Sequence, residues 1–237
     1  MTNEQIRKRF FEMQDEKYRD FSKNLTPGEE NMIGVRMPNI KVLAKEIASG
    51  NYLGFLKEPL TFYHEERVLY GLVISHMKED IKTVLSYFEK WLDCVDNWGV
   101  CDTVVMAMKM FKKEKNRKAV FDYIKIMLDS KKPFIIRAAI VALFCYFNDD
   151  EYCGITAAIF EKIKNEHFYV KMGLAWGMCE ILIKHYDTGL LVLKNKTLNV
   201  WVHNKAIQKA LESFRIDDTK KEELRKLKIN ERKNFKN

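Results

Sequence analysis

Apolar residues recur along this chain at intervals of three and four, the spacing that puts them on one face of an α-helix. The pattern predicts helices over 3–18, 38–49, 61–77, 80–92, 98–111, 115–129, 133–147, 151–164, 168–186, 199–214 and 217–228. No stretch alternates as a half-buried strand does. Pro38 and Pro133 fall where a first helical turn tolerates a missing N–H, and Ser49-Gly50-Asn51 and Asn148-Asp149-Asp150 read as stops. Segment 19–37 is the least regular, and the polar tail 229–237 is expected to fray.

A second, longer period runs through the helices. When HEERVLYGL, GVCDTVVMA, FIIRAAIVAL, FYVKMGLAW and VHNKAIQKA are aligned, one register holds Arg67, Asp102, Arg137, Lys171 and Lys205, spaced 35, 35, 34 and 34 residues apart. Helices with a central or late aromatic, such as SYFEKWL and AIFEKIK, alternate with them. Two helices per repeat, each pair too small to bury its own face, predict an all-α, HEAT-like helical-repeat solenoid formed by a single domain over 1–237. In a stacked solenoid such a register becomes a row along the concave side, here a mostly basic groove suited to a phosphate backbone. Arg137 is the sole charge of an otherwise apolar helix and is expected to face that groove. The alternative is a ladder of charges pairing with acids of the next repeat.

Asp102 interrupts the basic row. With Asn97 or Asp96 capping the helix, Asp102 lies beyond the turn in which caps and the helix dipole favour a carboxylate. Trp98 precedes it by four residues, so both point to one side of the helix. A carboxylate among cations and beside an indole suits positive charge developing on a substrate. Trp176, flanked by Gly173 and Gly177, lies on the inner helix of a later repeat. Trp98 and Trp176 as core aromatics, with Asp102 as an inter-repeat partner, explain the same spacing.

Composition narrows the classes. A net charge of +8 and a pI near 9.1 favour polyanionic partners, though the excess is spread along the chain. The N-terminus lacks the apolar run of a secretory signal and the longest apolar stretch contains Arg137, so a cytoplasmic protein is expected. The five cysteines form no C-x-x-C pair and read as reduced core thiols. No metal-ligand spacing, phosphate-binding glycine loop or nucleophile elbow occurs, which removes metalloprotease, ATPase, dehydrogenase and serine-hydrolase readings.

From about residue 5 to 215 the chain resembles the AlkD-type DNA alkylation repair proteins, HEAT-like repeat DNA glycosylases. The resemblance rests on Trp98 and Asp102 in NWGVCD, Arg137 in IIRAAI, Trp176 in GLAWGM, and GVRMPNIKVLAKEI at 34–47. It implies hydrolysis of the N-glycosidic bond of purines alkylated at N3 or N7 in double-stranded DNA. It implies a monomer acting without metal, cofactor or membrane. Asp102 would stabilise the oxocarbenium-like sugar and position water, while Trp98 and Trp176 would pack against the lesion nucleotide and backbone. Arg137 would bind phosphate, with Arg36, Arg67, Lys171 and Lys205 as further DNA-binding residues. The chain departs from the family pattern at Asn97, Gly99, Arg36, Cys145 and Cys179. The alternative reading is a non-catalytic paralogue binding DNA or a protein through the same groove.

Overall fold

The computed structural model describes residues 1–230. Among them are α1 (Asn3–Glu12), α2 (Glu16–Leu25), α3 (Met37–Ser49), α4 (Tyr52–Lys57), α5 (His64–Ser75), α6 (Ile81–Leu92), α7 (Trp98–Ala107), α8 (Glu114–Leu128), α9 (Pro133–Tyr146), α10 (Cys153–Lys162), α11 (Phe168–Lys184), α12 (Tyr186–Asn195), α13 (Val200–Glu212) and α14 (Asp218–Lys226). A short 3-10 turn, Lys109–Lys112, follows α7. The described residues contain no strand beyond one isolated bridge between Gln14 and Val35. The chain groups into two compact units, 1–126 and 127 onward.

In the first unit α5 packs against α3, α6 and α7. Its core holds Phe10, Leu43, Leu69, Val73, Phe88, Trp91 and Val104, all sealed from solvent. In the second unit α11 lies between α9 and α13, and α10 and α12 form a second layer beside it. Its core holds Ile140, Leu143, Phe160, Met178, Ile181 and Ile207. Alternate helices stacking in one row while their partners form another is the helical-repeat solenoid architecture expected from the 35-residue period.

Three helices differ from the sequence expectation. The predicted helix 3–18 is two helices, because Asp15 starts a new one by accepting a hydrogen bond from the Tyr18 amide at 2.9 Å. Helix α4 is only six residues long, below the span in which periodicity is legible. Helix α12 is not among the predicted helices; it carries Gly189, where a Cβ would come within 2.8 Å of Leu182, so glycine permits the close approach to α11. Ile229, expected in the frayed tail, exchanges two hydrogen bonds with Asn204 at 2.8 and 2.9 Å. Residues 231–237 of that tail lie outside the described residues.

Candidate functional site

The N-terminus of α7 organises the first unit's candidate site. Asn97 caps the helix by accepting a hydrogen bond from the Val100 amide at 3.0 Å, as the sequence allowed. Trp98 is thus the first helical residue, half-buried, and its Nε1 donates to the Leu25 carbonyl at 2.9 Å, which fixes the indole against the end of α2. Asp102 follows one turn later and is buried, with 6% exposure. Beside Trp98 is a hollow of about 180 Å3, walled by Tyr18 and Phe21 of α2, His64 of α5, and Trp98, Gly99 and Thr103 of α7; Asp102 is not part of its wall. A Cβ at Gly99 would stand 3.1 Å from His64 Cε1, so a side chain there would press on the imidazole edge.

Beneath the hollow is a set of buried charges that the sequence reading did not assemble. Glu65, 2% exposed, accepts hydrogen bonds from the amides of Ile33 (3.0 Å), Gly34 (2.6 Å) and Val35 (3.1 Å). Gly34 has a φ of +96°, and a Cβ there would meet Arg19 Cβ and the Asp15 carbonyl at 2.6 Å, so only glycine fits. Glu66, fully buried, accepts from Arg7 Nε at 2.6 Å and from the amides of Phe62 (2.9 Å) and Tyr63 (3.1 Å). Glu29 receives the Arg67 guanidinium and, at 2.8 Å, Asn97 Nδ2, with His64 Nδ1 3.7 Å away. Burial pushes the Glu29 carboxyl upward, but the His64 and Arg67 partners outweigh it and hold it below its ordinary range.

Arg67 therefore does not contact a phosphate in this geometry. It is 6% exposed, bridges Glu29 and the carbonyls of Thr61 and Phe62, and lies 3.6 Å from Asp96. A DNA contact would require leaving the buried Glu29 carboxylate without its guanidinium. Arg36, by contrast, is exposed, pairs with Asp15 at 2.7 Å and stacks over Tyr18 at 4.9 Å. The charges placed here by folding carry no periodic signal of their own: Glu65 and Glu66 read in sequence as an ordinary acidic first turn.

In the second unit the register residues meet aromatics. Arg137 is 4% exposed; its Nη1 donates to the Tyr169 carbonyl at 2.6 Å and its guanidinium lies 6.0 Å from the Tyr169 ring centre. Its charge sits below the surface, and a direct phosphate contact, the sequence expectation, would require rearrangement. Lys171 is half-buried, lies 5.5 Å from the Trp201 ring centre and pairs with Glu166 at 2.9 Å. Lys205 is half-buried and donates to Gln208 at 3.0 Å. Trp176 packs on Phe144 at 4.6 Å, and its Nε1 donates to Glu180 at 3.3 Å; Arg215 holds the same carboxylate at 2.6 and 3.0 Å.

Gly177 does not clear space for Trp176, as the sequence suggested. A Cβ there would come within 2.5 Å of Phe160, so the glycine lets α11 approach that ring. Cys179 is buried and its thiol is pushed up to about 11 by burial, which makes it a packing residue. Cys145 is half-buried and forms no disulfide.

One signal was present in the sequence and went unread. An aromatic precedes every register residue by two to four positions: Tyr63, Trp98, Phe134, Tyr169 and Trp201. In the structure each sits at the start of its helix, from the cap to the second residue. The period thus places an aromatic, and two to four residues later a charge, near the N-terminal end of alternate helices.

Among the described residues no group of three or more His, Cys, Asp or Glu side chains could hold a metal ion, and no helix is long and apolar enough to cross a membrane. No curated protein matches the chain. The family model for DNA alkylation repair enzyme matches residues 6–214, from α1 to just beyond α13, and includes Trp98, Asp102, Arg137 and Trp176. A helical-repeat chain matched over nearly its whole length in this way belongs to the DNA alkylation repair enzyme family.

Proposed function

We propose that this repair protein is a DNA glycosylase that hydrolyses the N-glycosidic bond of purines carrying a positive charge after alkylation at N3 or N7. The observation that carries this reading is that Trp98 walls an aromatic-lined hollow at the start of α7, with Asp102 buried one turn further along the same helix, inside the span matched to the family. The electron pair of the breaking bond returns to the purine and cancels its charge, so no strong general acid is needed. Positive charge then passes to the sugar, where a nearby carboxylate is worth more in a low-dielectric setting than in water. Asp102 supplies that anion and orients the water that attacks the sugar. Trp98 packs on the lesion nucleotide, and Trp176 contacts the backbone. Phosphates are met by Arg36, Lys171 and Lys205, whose ammonium and guanidinium groups reach solvent, while Arg137 contributes through its field.

The burial of Asp102 and Arg137, at 6% and 4% exposure, favours a second reading in which the protein binds DNA without cutting it. Release of free 7-methylguanine from methylated duplex DNA separates the two. Wild type releases the base, and Asp102→Asn is slower by about 100-fold or more, the cost of losing one preorganised electrostatic group. Binding without any release would establish the second reading. Release that survives Asp102→Asn would keep the enzyme and remove Asp102 from its mechanism.

A further inference from the structure

The starts of α9, α11 and α13 carry a row of aromatic rings that the proposed reaction does not use. Phe134 and Tyr169 lie with ring centres 5.4 Å apart, tilted by 36°. Tyr169 meets Phe168 edge-on at 5.2 Å, and Phe168 meets Trp201 at 5.9 Å. The rings therefore run without a gap across three alternate helices of the second unit, α9, α11 and α13. Phe168 is 52% exposed, a large apolar face left in water at the middle of the row. Two cations are interleaved with the rings, Arg137 at Tyr169 and Lys171 at Trp201.

An anion already occupies one position in this row. The Glu166 carboxylate accepts from Lys171 Nζ at 2.9 Å and from Asn199 Nδ2 at 3.1 Å, yet its side chain is 77% exposed. Lys171 and Asn199 come from α11 and from the cap of α13, so the seat is built by two repeats. No side chain caps α11, whose free amides add partial positive charge beside it. An exposed carboxylate on a two-repeat seat stands where a phosphodiester oxygen would bind.

We propose that this row is a binding platform for unpaired DNA, on which bases stack against Phe168 and Trp201 while a phosphate displaces Glu166 from Lys171 and Asn199. An exposed phenyl ring and a half-exposed indole next to a lysine match the alternation of base and phosphate along a single strand. A duplex offers only its phosphates to such a surface, because its base faces are stacked on one another. The platform is a site separate from bond cleavage and does not depend on the glycosylase reading.

The test measures binding of an oligothymidylate strand and of a duplex of equal length, by anisotropy of labelled DNA with the full chain. Phe168→Ala is expected to weaken single-strand binding about tenfold or more while leaving duplex binding unchanged. Glu166→Gln should tighten single-strand binding by freeing Lys171. Phe214→Ala serves as control, since Phe214 is wholly exposed and takes no part in the row. Equal losses on both DNAs for Phe168→Ala, or no loss on either, would overturn the proposal. So would absence of single-strand binding by wild type, which would leave the exposed rings as a protein-docking face. Base release is not read in this experiment, so its outcome stands apart from that of the glycosylase assay.

Discussion

The two units place the same register residue in opposite surroundings. In the first, Arg67 of α5 is drawn into a buried network with Glu29 and Asn97, and the neighbouring Glu65 and Glu66 anchor backbone amides of residues 33–35 and 62–63. In the second, Lys171 of α11 lies over an indole and meets an exposed carboxylate. The difference comes from what packs beside each helix. The first unit must hold an irregular segment, and buried carboxylates satisfy its amides; the second has regular helices on both sides and needs no such anchor. A repeat register therefore specifies position along the stack and leaves the role of the charge open.

The sharpest way to break this comparison is Glu65→Ala, which orphans three buried amides. At about 1–3 kcal/mol each it should cost roughly 5 kcal/mol, seen as a large drop in urea midpoint. A loss under about 1 kcal/mol would mean that residues 33–35 do not depend on the carboxylate. Arg67→Ala follows, at about 3 kcal/mol, because it leaves Glu29 buried without its strongest partner. It should not alter the salt dependence of DNA binding, whereas Lys171→Ala should flatten the log–log slope by about 0.9 with little change in stability. A flattened slope for Arg67→Ala would return that residue to the DNA surface.

The smallest effect concerns pH. Glu29 is held below its ordinary value of 4.5 in the folded chain, so its contribution is fully present above that pH. It is lost as pH falls through the lowered folded value, since the unfolded chain takes up the proton first. Unfolding followed from neutral to strongly acidic pH should show stability falling below pH 4.5, and Glu29→Gln should flatten that fall. An unchanged profile in the variant would assign acid sensitivity to other carboxylates.

Most helices were legible before the structure because their apolar spacing is long and regular. The failures have local causes: Asp15 caps a second helix inside a continuous apolar pattern, and α4 is too short for its periodicity to show. At the candidate site, Asn97 as cap and Trp98 with Asp102 on one helical turn followed from spacing alone. The surroundings of those residues did not. His64 at the Gly99 backbone, Glu29 against Arg67 and the ring-to-ring path from Phe134 to Trp201 join residues about 30 or more positions apart, or depend on which ring faces which.

By itself the amino-acid order determined an all-helical repeat chain with a charged residue at a fixed place in each repeat and an aromatic shortly before it. Periodicity is a property of neighbours along the chain, and the hydrophobic effect turns it into stacked helix pairs without further instruction. Only the tertiary structure decided which charges were buried and which kept contact with water. That outcome depends on partners supplied by other helices, because a charge enters the interior only where a counter-charge or backbone dipoles meet it.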